Sequence, residues 1–140
     1  MTARAADDAA SGQDALTRAI AGEQAAVYAY GLAGPHLPEP DQALALGGLA
    51  AHRLRVVALR QGAPDGLEPG SPAGYDTGPI QTEAEARDLL GGVEARLAAV
   101  YADLAAATTG TARTEAVLAA RECAVRSVAW GLPPQAFPGR

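Results

Sequence analysis

The stretch GAPDGLEPGSPAGYDTGP, from Gly62 to Pro79, packs five glycines and four prolines into 18 residues. Proline lacks a backbone N–H and glycine carries the largest backbone entropy loss, so neither a helix nor a central strand is expected there. A connection of this length is uncommon inside a compact domain. It is expected to run along the outside of the molecule as a crossing connection. The links on either side are short: Gly34 to Pro40 before it, and Thr108 to Thr111 after it. Short links join antiparallel neighbours. One long link between them therefore joins two hairpins.

The segments between these links carry apolar residues at helical spacing. Leu16, Ile20, Val27 and Tyr30 mark the first, expected over 12–33, with Ser11 and Asp14 resembling a capping signal at its start. Residues 1–10 are expected to form a flexible tail ahead of a single domain over 11–140. The second helix is expected over 40–61, opening after Pro38-Glu39-Pro40 and carrying Leu49, Val56 and Leu59. Thr82 and Glu85 have capping-box spacing and start the third, over 82–108, with Leu90, Val93, Leu97, Val100 and Leu104 as its stripe. The fourth, over 112–130, carries Val117, Leu118, Val125, Val128 and Ala129 and ends at Gly131 and Pro133-Pro134. No segment sustains the alternation of a strand. Two hairpins with one crossover describe an all-α, ferritin-like antiparallel four-helix bundle, with the long crossover between helices two and three.

Composition agrees with packed helices. Of the 140 residues, 35 are alanine, so the core is built from small side chains and closely spaced backbones. Eleven arginines, no lysine and 16 acidic residues give a net charge of −5, which lacks the basic footprint of a nucleic-acid binder. A single cysteine excludes an internal disulfide and a thiolate cluster. No apolar run has the length of a membrane span, and the N-terminus lacks the apolar stretch of a signal peptide. A chain without lysine has no phosphate loop of the Gly-Lys-Ser/Thr kind. The expected setting is soluble and cytoplasmic.

Four polar residues fall on or beside the apolar stripes, one per helix. Glu23 lies between Ile20 and Val27, His52 between Leu49 and Val56, Glu94 between Leu90 and Leu97, and Glu122 between Leu118 and Val125. Burial of such groups demands pairing, protonation or a metal. Three carboxylates and an imidazole are a donor set for a divalent cation. Stripe-edge side chains reaching solvent, or a hydrogen-bonded core network, account for the same pattern. Tyr28, Tyr30 and Tyr101 are expected to pack between helices with their hydroxyls turned to polar neighbours. Cys123 is expected to be a small buried hydrophobe and His36 a solvated loop residue.

The segment from Glu23 to Gly31, Glu-Gln-Ala-Ala-Val-Tyr-Ala-Tyr-Gly, resembles the first-helix signature of the actinobacterial ferritin-like domains of family DUF4439. Leu49-Ala50-Ala51-His52-Arg53 and the terminal Ala136-Phe137-Pro138-Gly139, after a helix ending in Trp130, are similar to it as well. The resemblance spans Asp14 to Gly139 and implies a ferritin-like fold without implying an activity. Di-iron proteins of the wider class use one glutamate from each of two helices and a Glu-x-x-His pair from each of the others. Glu23 and Glu94 match the single glutamates, His52 half of one pair and Glu122 half of the other. Leu49 and Val125 stand where the remaining glutamate and histidine belong. The expectation is a non-enzymatic domain with a degenerate metal site at Glu23, His52, Glu94 and Glu122, no cofactor, and a role in self-association as a homodimer. The alternatives are a protein holding a single iron or manganese ion for redox or storage, and a small-molecule module using space at Gly47-Gly48 and Gly91-Gly92.

Overall fold

The computed structural model describes residues 2–67 and 75–138. Helix α1 is Thr2–Ala33, followed by a short 3-10 turn at Gly34–His36; α2 is Asp41–Gln61, α3 is Glu83–Ala106 and α4 is Gly110–Ala129. No strand occurs among the described residues. No helix among them is long and apolar enough to cross a membrane.

Contacts fix the direction of each helix. Glu23 and Tyr30 of α1 bond Tyr101 and Glu94 of α3 respectively, so the two helices run antiparallel. Glu23 also meets His52 of α2, while a Cβ on Gly48 would fall on the Tyr30 ring, so α2 is antiparallel to α1 as well. Helices α2 and α3 are therefore parallel to each other, which requires the connection between them to travel the length of the bundle. In the last hairpin, Arg113 Nε donates to the Ala105 carbonyl at one end, and Trp130 lies beside Gly91 at the other. The four-helix bundle with a long crossover is thus the observed architecture. Residues 62–67 and 75–81 carry no helix or strand, and 68–74 of the expected crossover lie outside the described residues.

Local chemistry is explicit at the start of α3 and the end of α4. The Thr82 hydroxyl accepts from the Glu85 N–H while the Glu85 carboxylate accepts from the Thr82 N–H, which starts α3 with the expected capping box. Gly131 has a φ of 106° just past α4, where a side chain would be strained. The start of α1 differs from expectation. The helix passes through Ser11 without using it as a cap, and residues 2–10, read as tail, are helical and exposed. Five alanines among Thr2 to Ala10 supply the helix propensity, and one interior glycine at Gly12 does not outweigh them.

The core is close-packed through small side chains. Ala15, Ala19, Ala26 and Ala29 of α1, Ala86 and Ala98 of α3, and Ala116 and Ala119 of α4 are buried alongside Leu90, Leu97, Tyr101 and Trp130. A Cβ on Gly22 would come within 2.7 Å of Leu97, and one on Gly91 within 2.9 Å of Leu132. Helix α4 turns a different face to the core than its large apolar residues suggest. Ala116, Ala119, Cys123 and Ser127 are buried, whereas Val117, Leu118, Val125 and Val128 are 44–62% exposed. Those four were expected in the core. A close α3–α4 approach takes the small residues and leaves the aliphatic ones outside.

Candidate functional site

Three of the four polar residues singled out from sequence come together in the centre of the bundle. Glu23, His52 and Glu94 are each at most 1% exposed. His52 stands between the two carboxylates, with Nδ1 2.6 Å from Glu23 Oε2 and Nε2 2.8 Å from Glu94 Oε1. The tyrosines close the ring. Tyr101 donates to Glu23 Oε1, and Tyr30 donates to Glu94 Oε1 at 2.6 Å. Trp130 Nε1 in turn donates to the Tyr30 hydroxyl at 2.8 Å.

The network is reciprocal. Helix α1 carries a glutamate at Glu23 and a tyrosine two turns later at Tyr30; α3 repeats this at Glu94 and Tyr101. Seven residues span nearly two turns, so each pair lies on one helix face. Because α1 and α3 run antiparallel, each tyrosine lands on the other helix's glutamate. His52, from α2, fills the gap between the carboxylates.

A sequence profile for a domain of unknown function, DUF4439, matches residues 15–140. The chain belongs to the DUF4439 family. No curated protein matches this DUF4439 domain. A crystal structure of a conserved hypothetical protein, rv2844, from Mycobacterium tuberculosis is similar to it, with a TM-score of 0.78 and 26% sequence identity over 86% of this chain and 95% of that one.

Both ring nitrogens of His52 face carboxylate oxygens, an arrangement that an imidazolium satisfies by donating from both. Burial works against the imidazolium, yet the hydrogen bonds and charges of Glu23 and Glu94 prevail and push its pKa up to about 9. Burial first, and then the adjacent Glu94 and Glu23 respectively, drive the Tyr30 and Tyr101 hydroxyls far above the ordinary phenol value, so both remain donors. Cys123 is buried against the same cluster, and burial, then Glu94 and Glu23, pushes its thiol strongly upward, away from thiolate.

Glu122, the fourth expected member, is elsewhere. It sits on the α2-facing edge of α4, half exposed, and pairs with Arg55. Its neighbours Leu118 and Val125 are themselves outside the core, so the stripe that placed it there is the helix's outer face. Tyr28, by contrast to Tyr30, is exposed and packs on Tyr75 with ring centroids 5.1 Å apart. His36 is exposed as expected.

The donor atoms do not suit a two-metal centre. Glu23 has both oxygens engaged, His52 both nitrogens, and Glu94 one oxygen shared by Tyr30 and His52. Glu94 Oε2 is the one carboxylate oxygen of the cluster that accepts from neither the imidazole nor a tyrosine, and the Cys123 thiol interacts with the Glu94 carboxylate. Among the described residues no group of three or more His, Cys, Asp or Glu side chains is disposed to hold a metal ion. The cluster can hold a proton and lock three helices together.

Arg55 and Arg126 are what the sequence stripes did not reveal. The Arg55 guanidinium lies over the Tyr101 ring, 5.6 Å from its centroid, and the charge of Arg126 acts on Tyr30 and Cys123. Each lies three or four residues from a buried position, and that offset was the available signal.

Proposed function

We propose that this DUF4439 domain is a non-enzymatic, ferritin-like module whose metal position is taken over by a protonated histidine, and which acts through self-association. The observation that carries this reading is the engagement of both His52 ring nitrogens by buried carboxylates. A ligand histidine needs a free lone pair on one nitrogen. Here neither nitrogen has one, and Glu23, His52 and Glu94 are all buried. The parallel arrangement of α2 and α3, reached by a crossover, supports the ferritin-like assignment.

The outward aliphatic residues support association. Leu54 and Val57 of α2 and Val117, Leu118, Val125 and Val128 of α4 are 44–72% exposed. Two-fold homodimers are the commonest soluble oligomers, and such faces are what they bury. The lone buried Cys123, without a disulfide, suits a reducing compartment, and the cytoplasm is the location proposed.

Two measurements test the reading. After incubation with excess iron(II) or manganese(II) and desalting, elemental analysis is expected to find no stoichiometric metal. One retained equivalent, lost in Glu23→Ala, would overturn the metal-free assignment in favour of a mononuclear centre using Glu94 Oε2. Size-exclusion chromatography with light scattering is expected to give a dimer. A monomer at high micromolar concentration would remove self-association.

A further inference from the structure

The bundle is not equally tight on all sides. Helix α1 packs on α2 and α3, and α3 on α4, but α2 and α4 have no close backbone approach and are bridged by the Arg55–Glu122 pair. Beyond that bridge, at the Tyr30 end of the seam, lies a cleft of about 210 Å³. Its walls are Leu44, Gly47 and Gly48 of α2 and Arg126 and Trp130 at the end of α4, with Tyr30 as the floor.

Two features of the cleft lack a packing explanation. The first is Gly47. Gly48 beside it is required, because a Cβ there would overlap the Tyr30 ring, but a Cβ on Gly47 would meet nothing within 4 Å. An interior helix glycine costs about 1 kcal/mol relative to alanine. Gly47 is exposed, and a Cβ on the exposed Gly31 of α1 would likewise meet nothing within 4 Å; Gly47 differs from it in lining the cleft. The second is Arg126. Arg18, Arg55 and Arg87 pair with carboxylates and Arg113 bonds a carbonyl. Arg53, Arg60, Arg96 and Arg121 have no hydrogen bond or ion pair among the described residues, but they are exposed to water; Arg126, equally unpaired there, is half-buried and stands in the wall of the cleft.

We propose that this cleft binds a small organic monocarboxylate, its carboxylate on Arg126 and its apolar body against Leu44, Tyr30 and Trp130. Guanidinium is the side chain best matched to a carboxylate, which it grips with two parallel N–H donors. The remaining walls offer aliphatic and aromatic surface, so the ligand carries one charged end and one apolar end. Phosphate esters, with more charge and no second cation to meet it, are disfavoured. The competing explanation is that Arg126 offsets the negative charge of the buried cluster and binds nothing. The site goes beyond the association reading and does not rest on it.

Trp130 is the sole tryptophan of the chain and lines the cleft, so its fluorescence reports occupancy directly. Titration of the full chain with hexanoate is expected to give a saturable change with a Kd at or below about 1 mM. Hexanol, of the same shape without the charge, is expected to bind at least about tenfold more weakly, and Arg126→Gln to weaken hexanoate by a similar factor. Gly47→Leu fills the open space with a better helix former, so it is expected to abolish binding while circular dichroism and Tm are maintained. Absence of saturation up to about 10 mM hexanoate, or binding unchanged in Arg126→Gln or in Gly47→Leu, would overturn the site. Light scattering on the same samples reads the oligomer separately, so loss of the dimer and loss of the site are distinguishable.

Discussion

Glu23 and Glu94 approach one imidazole from its two opposite nitrogens, at 2.6 Å and 2.8 Å, with all three side chains withheld from water. Removing charges from water is expensive, and a buried ion pair repays that cost only when its hydrogen bonds are complete. Here completeness is nearly reached, since Tyr30 and Tyr101 supply the donors that His52 does not. The gain is in specificity. Three helices are held in one register by side chains that have no equivalent partners one turn away.

Stability is expected to fall as solutions become alkaline, because the folded state holds a proton on His52 more tightly than the unfolded chain. Burial opposes the imidazolium but the two carboxylates outweigh it, raising the pKa from 6.5 to about 9. A raised histidine pKa stabilises fully below the unfolded value of 6.5, and that contribution is lost as pH climbs through about 9. The loss is on the order of 3 kcal/mol. Urea midpoints between pH 6 and pH 10 measure it; a profile as flat as that of His52→Gln would contradict the assignment.

His52→Ala tests the imidazolium from the other side. The substitution leaves two buried carboxylates facing each other without the cation, a change expected to cost about 3–5 kcal/mol at neutral pH. Removing one of the two charges should relieve it, so the double variant His52→Ala with Glu94→Gln is expected to be more stable than His52→Ala alone. A double variant no more stable than His52→Ala in urea unfolding would mean that a cavity, not uncompensated charge, is responsible.

The tyrosines are expected to separate by position in the network. Tyr101→Phe removes the donor to Glu23 Oε1 and strands a buried carboxylate oxygen, at a cost of about 1–3 kcal/mol. Tyr30→Phe leaves Glu94 Oε1 with His52 but orphans the Trp130 N–H, and falls in the same range. Tyr28→Phe, on an exposed side chain, is expected within about 0.5 kcal/mol of zero. Chemical denaturation of the three variants ranks them. Equal values would show that the hydroxyls are not part of the stabilising network.

Legibility from sequence followed side-chain size. Helix α3 was read correctly because its large residues, Leu90, Val93, Leu97 and Leu104, are the buried ones, and Glu94 came with them. Glu23 was placed by Ile20 and Val27 at its flanks, of which Ile20 is buried and Val27 partly so. In α2 the buried residues are Ala45, Gly48 and His52, and His52 was placed by Leu49 and Val56 at its flanks, which are only partly buried. Helix α4 misled because its large aliphatics point outward, and a stripe of Ala116, Ala119, Cys123 and Ser127 carries no hydrophobic signal strong enough to compete. The four-helix architecture survived that error because it rests on the glycine–proline connections, which do not depend on which face is buried. The start of α1 was missed for another reason: Ser11 is a good cap, but alanine on both sides lets the helix run through it.

Glu23 and Glu122, alike in sequence context, should part completely on substitution. Glu122→Gln loosens an ion pair with Arg55 at a half-exposed position, where such pairs contribute roughly 0–1 kcal/mol. Glu23→Gln is isosteric, yet it places an amide where two acceptors are needed. One carboxylate oxygen takes the Tyr101 proton and the other the His52 Nδ1 proton. An amide offers one oxygen and an NH2, so a donor must face a donor, or His52 must give up its Nδ1 proton. The expected cost is about 2 kcal/mol or more, with the His52 titration, followed by its ring Cε1–H resonance, moving downward because one of its two carboxylates has lost its charge. In Glu122→Gln that resonance should titrate as in the unsubstituted chain. If the two variants matched in both stability and His52 titration, Glu23 would be no more than a residue at the edge of its helix stripe.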